Sequence, residues 1–353
     1  MLTRLIVLAA GLSTLSAAAL AQNVSVTYTT PALDRWMYPF NFSAGDETRA
    51  ALFAALQTPG FDDRDGELLV GFNSNADITT GKGRLSYKIL SATLNVFVED
   101  DLSFYYDPSA DPLASSYATN DPDHVADTDL SKPIEVWPCG YRNGFSAATF
   151  TESSSFGGTP VVAPSEGARN VFPALLDYTQ APVDMARQVR LKLAGNAMAL
   201  GRIFDEGGLE WTPGTLVPAG SEVRFNLANV SSANYVYMQN ALNTGLVRLL
   251  VTTLEPTSGG PGGGTGGVTY PRIYTKENIL GSLGYAPRLS LEVAITCAAD
   301  FNGDNVVDDA DFVIFAAAYN ELLDARCDLT NDTVTDDSDF VIFVAAYDTL
   351  LCD

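Results

Sequence analysis

Residues 22–295 are written mostly in period two. Gln22–Tyr28 alternates polar and apolar positions. Glu67–Phe72, Leu85–Leu90, Ala92–Glu99, Ile134–Trp137, Glu222–Leu227, Leu246–Leu254 and Leu289–Ala294 carry further strand-like apolar runs. Asp34–Phe42 places an aromatic residue at every second position: Trp36, Tyr38, Phe40 and Phe42. Helical spacing is scarce. Asp46–Leu56 is alanine-rich with Leu52, Phe53 and Leu56 on one face, which predicts a helix. Ala233–Asn243 predicts a short one, and Val183–Leu193 fits either a strand or a helix. The connections are the polar turn Phe61–Gly66, the acidic stretch Asp100–Asp129, the Ser/Gly/Pro-rich Ser153–Gly167 and the glycine run Gly259–Gly267. Many short strands, Gly/Pro turns and little helix predict a mainly β fold, an antiparallel β-sandwich.

The pattern changes after Ile295. Asp300–Tyr319 and Asp328–Tyr347 are two copies of one unit, the second offset by 28 residues. Each is an acidic twelve-residue loop followed by a short apolar helix. Calcium takes about six to eight oxygen ligands, and a loop of this length supplies them from positions 1, 3, 5, 7, 9 and 12. In the first copy those positions are Asp300, Asn302, Asp304, the Val306 carbonyl, Asp308 and Asp311. In the second they are Asp328, Thr330, Asp332, the Val334 carbonyl, Asp336 and Asp339. Position 6 makes a sharp turn at positive φ, where glycine is the usual residue. Here it is Asn305 and Thr333; asparagine tolerates that conformation and a β-branched threonine does so poorly. Loop one is therefore the better calcium loop. The alternative is a pair of acidic turns that only cap two helices. Charge weighs toward ions: Cys297–Asp353 holds 13 Asp and one Glu against one Arg, and such crowding repels itself without cations.

Two loop-plus-helix units with no entering helix and Asp at position 12 resemble the type I dockerin module, over about Cys297–Asp353. The resemblance implies Ca2+ as cofactor and a cohesin-like protein as partner. Phe312, Ile314, Phe315, Tyr319 and their counterparts are more apolar and more nearly identical than packing two helices together needs; the alternative is that they pack on each other. In a dockerin-like pair the helices run antiparallel, which implies a Cys297–Cys352 disulfide clasping the ends. A second resemblance rests on Leu68–Phe72, Ile78, Gly81 and Ile89–Val96, then Tyr274–Asn278 and Pro287–Leu291. It is to the opening and closing strands of secreted, DNRLRE-type carbohydrate-binding jelly-roll domains, whose naming motif is absent here. It implies that Tyr270–Ala294 belongs to the jelly roll and that the hinge is the short Ile295–Ala299.

Met1–Ala21 reads as a signal peptide, with Arg4, an apolar Leu5–Leu12 and Ala19-Leu20-Ala21 as the cleavage site. The expected chain is exported, secreted or at the cell surface, with 22–295 as the β domain and 296–353 as the calcium module. No later stretch is long and apolar enough to span a bilayer. A net charge of −23 argues against nucleic acid as partner. The four cysteines include no C-x-x-C pair, so disulfides are expected rather than zinc.

Catalytic signals are sparse. His124 is the only histidine, and no G-x-S-x-G accompanies it. A glycosidase needs two carboxylates, and no pair stands out among 43 acidic residues. Glu99, Asp100, Asp101, Asp107, Asp111, Asp121, Asp123, Asp127 and Asp129 form either a further calcium site or a solvated loop. Trp36, Trp137, Trp211 and Tyr141 form either a sugar-stacking platform or sandwich core. The residues leave three functions open: a non-catalytic carbohydrate-binding or surface-assembly protein, a polysaccharide-degrading hydrolase, or a purely structural extracellular protein.

Overall fold

The computed structural model describes residues 22–41, 43–157, 166–177, 179–228, 230–257, 270–321, 326–330 and 332–348. The signal-peptide segment, the glycine run and Cys352 lie outside them. The described strands are β1 (Gln22–Tyr28), β2 (Leu33–Met37), β3 (Arg49–Ala51), β4 (Phe53–Ala54), β5 (Arg64–Asn73), β6 (Tyr87–Phe97), β7 (Ile134–Tyr141), β8 (Val171–Leu176), β9 (Pro182–Asp184), β10 (Ala199–Leu200), β11 (Arg202–Phe204), β12 (Glu222–Asn226), β13 (Leu246–Thr253), β14 (Arg272–Tyr274) and β15 (Arg288–Ile295). The helices are α1 (Ser232–Thr244), α2 (Asp309–Glu321) and α3 (Asp337–Tyr347).

The strands form a five-stranded sheet, β1-β15-β6-β12-β11, and a larger one, β2-β5-β13-β7-β8-β9, with β4 beside β5 and β10 beside β7. β3 and β14 make a separate ribbon. All pairings between these strands are antiparallel. One core joins the facing sides of both sheets: Leu68, Val70, Phe72, Val247, Leu249 and Val251 from the larger, Leu94, Val96, Val223, Phe225, Leu289 and Leu291 from the smaller. That shared core makes the arrangement a mainly β, sandwich-like fold. The larger sheet is buried on its other face too, where Leu69, Trp137 and Leu250 meet Leu33, Met37 and Phe150. Burial on both faces explains the unbroken apolar runs Leu68–Val70 and Leu249–Val251, since alternate residues serve opposite cores.

Most strands lie where the alternation put them, and Ala233–Asn243 lies within α1, closed by Gly245 at φ 76°. Leu85–Leu90 and Ala92–Glu99 merge into the single strand β6 after a 3-10 turn at Arg84–Ser86. Val183–Leu193 begins as strand, in β9, and continues as turns. The helix expected at Asp46–Leu56 does not form: the segment runs as β3 and β4, paired to β14 and β5. Alanine's helix preference is worth only tenths of a kcal/mol per residue, and here both faces of the segment are buried, from Ala50 to Leu56. β5 accepts this close approach through Gly66, where a Cβ would fall 2.6 Å from the Ala51 carbonyl oxygen.

The polar turn read at Phe61–Gly66 is also corrected. Asp62, Asp63, Arg64 and Asp65 are buried at the start of β5. Arg169, fully buried, pairs with Asp62 at 2.8 Å, Glu67 at 2.6 Å and Asp65 at 3.5 Å. Arg64 pairs with Glu135 at 2.8 Å and Arg190 with Asp63 at 2.8 Å. Charged residues read as surface in a pattern of polarity, yet they can be buried when each meets a counter-charge.

Beyond β15 the chain stays against the β domain. The Thr296 amide donates to the Ser86 carbonyl, and Ala299 is buried. α2 and α3 enclose a small core of Ala299, Val307, Phe315, Ala318, Cys327 and Phe343. Phe343 stacks on Phe315 and Phe301, with centroids 5.3 and 5.8 Å apart. Cys297 is disulfide-bonded, while Cys139 and Cys327 are buried thiols. Among the described residues no helix is long and apolar enough to cross a membrane.

Candidate metal centre

Each acidic loop folds around its first and last aspartates. In loop one, Asp300 Oδ1 accepts from the Gly303 and Asp304 amides at 2.7 and 3.2 Å, and its Oδ2 from Asn305 at 2.8 Å. Asp311 Oδ1 accepts from Phe301 and Asn302, its Oδ2 from Asp308. Loop two repeats the scheme. Asp328 accepts from the Asp332 and Thr333 amides, and Asp339 from those of Thr330 and Asp336. Asp300, Asp311, Asp328 and Asp339 are all 0 % exposed. Burying carboxylates this deeply requires several donors each or a cation, and burial raises Asp311 above the ordinary carboxyl value.

The loops carry the turn that ligand convergence needs. Asn305 has φ 72° and Thr333 has φ 78°, both at position 6. As a result positions 1, 5 and 12 gather in each copy: oxygens of Asp300, Asp304 and Asp311 lie within 4.8 Å of one another, as do those of Asp328, Asp332 and Asp339. The other expected ligand residues bond within their loops. Asn302 bonds Asp304 at 3.0 Å, and the Thr330 hydroxyl donates to Asp328 at 3.3 Å. The Val306 and Val334 amides donate to Asp304 and Asp332. Asp308 and Asp336 cap the helices by accepting from the Ala310 and Ser338 amides at 2.8 Å. Those two carboxylates thus act as helix caps, the role in the alternative reading, while the inner three in each loop are the convergent set.

The two units also grip each other with a pseudo-two-fold pattern. The Tyr319 hydroxyl donates to Asp337 at 2.7 Å and that of Tyr347 to Asp309 at 2.6 Å. These carboxylate partners hold both phenols above their ordinary value.

Two other groups of acidic residues converge, and each already contains a lysine. Lys276 lies among Asp34, Glu152 and Glu277, 3.4 Å from Asp34 and 3.6 Å from Glu277. Lys132 bonds Asp111 at 2.7 Å and also Asp127, beside Asp107 and Asp129. The rest of the long acidic stretch is spread out: Glu99 and Asp100 face Arg49, and Asp121 and Asp123 face Lys192. In both converging groups the ammonium pairs with two or more of the carboxylates, whereas in loop two Arg84 pairs with Asp328.

The aromatic candidates serve the core. Trp137 is buried, Trp36 and Trp211 pack against the main core and Tyr141 against the second. A cleft of about 230 Å³ lies beside Trp137, lined by Arg64, Glu135, Lys132, Asp111 and Gln188. Its polar groups are engaged with one another: Glu135 accepts from Arg64 and from the Trp137 indole N–H.

What sequence reasoning missed is the contact between the loops and the β domain. The Arg84 guanidinium donates to the Asp328 carbonyl at 3.3 Å and to its carboxylate at 3.5 Å. The Lys88 ammonium donates to the carbonyls of Leu85 at 2.8 Å and Ala298 at 3.4 Å and lies 5.3 Å from the Phe301 ring. Burial brings Lys88 down to about 8, against the pull of Asp300. No pattern in the chain links positions this far apart. Compared with known protein families, curated proteins and solved structures, the chain matches none.

Proposed function

We propose that the chain is an exported, non-catalytic assembly protein: a jelly-roll-like β-sandwich that carries a dockerin-like, calcium-organised docking module. The observation that carries this reading is the pair of equivalent aspartate triads, Asp300/Asp304/Asp311 and Asp328/Asp332/Asp339. Both turn at positive φ on position 6, and neither encloses a lysine. Calcium is the favoured ion because all donors are oxygens, spaced as in a twelve-residue calcium loop. In the loaded protein these residues would hold the ion, whose charge offsets that of the buried carboxylates.

The outer surface of the helices supports a protein partner. Phe312, Val313, Phe340, Val341, Ile342 and Val344 are exposed by 38–68 %, and a clustered apolar surface of this kind marks an interaction site. A cohesin-like partner would cover it. Carbohydrate binding by the β domain would use Phe40, which is exposed and packs edge-on against Tyr38 and beside Phe61.

Thermal melts of the full chain, followed by circular dichroism in calcium and in chelator, test the reading. Calcium is expected to raise the transition and the helical signal, with magnesium a poor substitute because it demands tighter octahedral geometry. Identical melts in both conditions would remove the calcium function. Release of reducing sugar from a polysaccharide would replace the non-catalytic reading with the hydrolase.

A further inference from the structure

The repeat does not hang from a tether. Its loop faces are applied to one short stretch of the β domain, the 3-10 turn Arg84–Ser86 and the first residues of β6. Arg84 and Asp328 are both buried there, with side chains 6 % and 0 % exposed. Arg84 approaches Asp328 at its carbonyl and at Oδ2, the oxygen that also accepts from the Thr333 amide. Asp328 Oδ1 instead accepts from the Asp332 amide and the Thr330 hydroxyl. The guanidinium and the Asp332 amide thus take different oxygens of the carboxylate. Lys132 and Lys276, by contrast, sit among their carboxylates.

Loop one meets the other cation. A Cβ on Gly303 would lie 3.4 Å from the Lys88 Cβ and Cγ, so the loop packs directly on the lysine stem. The Lys88 ammonium holds the Ala298 carbonyl, two residues before Asp300. Each copy thus has one cation of the β domain close to its first aspartate.

We propose that Arg84 and Lys88 are built-in counter-charges for the repeat: they keep it seated on the β domain when no ion is bound, and calcium in the loops competes with them. The inference rests on the calcium reading of the same loops. A buried carboxylate with no counter-charge is strongly destabilising. Arg84 supplies that charge to Asp328 in the absence of an ion, which reduces what calcium adds on binding. Two cations on one carboxylate also repel each other. Removing Arg84 leaves calcium as the main neutraliser of Asp328, so affinity rises while the ion-free form weakens. Loop one and Lys88 follow the same logic through Asp300.

The test uses the full chain, as wild type, Arg84→Gln, Arg84→Lys and Lys88→Met, with calcium titration calorimetry and melts in calcium and in chelator. Arg84→Gln removes the charge and also shortens the side chain, so Arg84→Lys, which keeps a charge on a long side chain, is its control. Expected for Arg84→Gln is a melting temperature that falls more in chelator than in calcium, with affinity at one site raised several-fold. Lys88→Met should do the same at the other site, and Arg84→Lys should stay close to wild type. Equal losses of melting temperature in both conditions with unchanged or weaker calcium binding would overturn the competition and leave a plain packing contact. A wild type that takes up no calcium would overturn the calcium reading itself, and the competition with it.

Discussion

Thr333 is the residue least suited to its place. It stands at position 6 of loop two with φ 78°, where its branched Cβ crowds the backbone. A non-glycine residue held there costs on the order of 1–3 kcal/mol, and branching puts threonine toward the upper part of that range. Thr333→Gly removes the strain and keeps the amide that donates to Asp328 Oδ2 at 2.9 Å. Glycine in turn loosens the unfolded chain by about 0.4–1 kcal/mol. The expected net gain is about 1 kcal/mol. Asn305→Gly is the internal control: asparagine at φ 72° pays little, so the same substitution should gain close to nothing. Urea unfolding of the full chain in calcium, followed at 222 nm, measures both. A Thr333→Gly variant no more stabilised than Asn305→Gly would show that threonine is not strained at this position.

Loop one has the better ligand set, so Asp304→Ala should weaken calcium binding more than Asp332→Ala in calorimetry. Above about pH 8, where Asp65 and Glu67 are charged, Arg169→Met removes the cation they share with Asp62 and should cost about 3–5 kcal/mol in urea unfolding. Loss of Arg202, largely exposed in its pair with Glu210, should cost under about 1 kcal/mol. Burial pushes the Glu67 carboxyl up from 4.5 to about 8 and that of Asp65 up from 3.8 to about 7. An acid held above its unfolded value contributes stability that is complete below that value and is lost as pH rises through the folded one. Melting temperature should therefore fall between about pH 5 and pH 8, and Glu67→Gln should flatten the fall.

The sandwich was legible wherever one rule decided the outcome. Alternation located β1 because one face of an antiparallel edge strand is packed and the other is not. Runs such as Leu68–Val70 were legible as strand but concealed a second core, because a continuous apolar run does not say which face meets what. Ala50–Ala54 was misread because local propensity is weak beside pairing on both edges. The Asp62–Glu67 network was invisible for a different reason. Its partners Arg169 and Arg190 lie about a hundred residues further along the chain, and no local pattern marks a paired charge. In the repeat, spacing named six ligand positions per loop, and three of each six, Asp300/Asp304/Asp311 and Asp328/Asp332/Asp339, come together in the fold. Arg84 and Lys88 could not be found that way, because the 3-10 turn and the start of β6 meet the loops only once the chain is folded.

Native mass spectrometry of the full chain in excess calcium reads directly whether the inner aspartates of the repeat hold the ion. Two specifically bound calcium ions are expected in the wild type, one in Asp311→Asn, one in Asp339→Asn and none in the double variant. The same number of bound ions in all four proteins would show that these aspartates do not hold calcium.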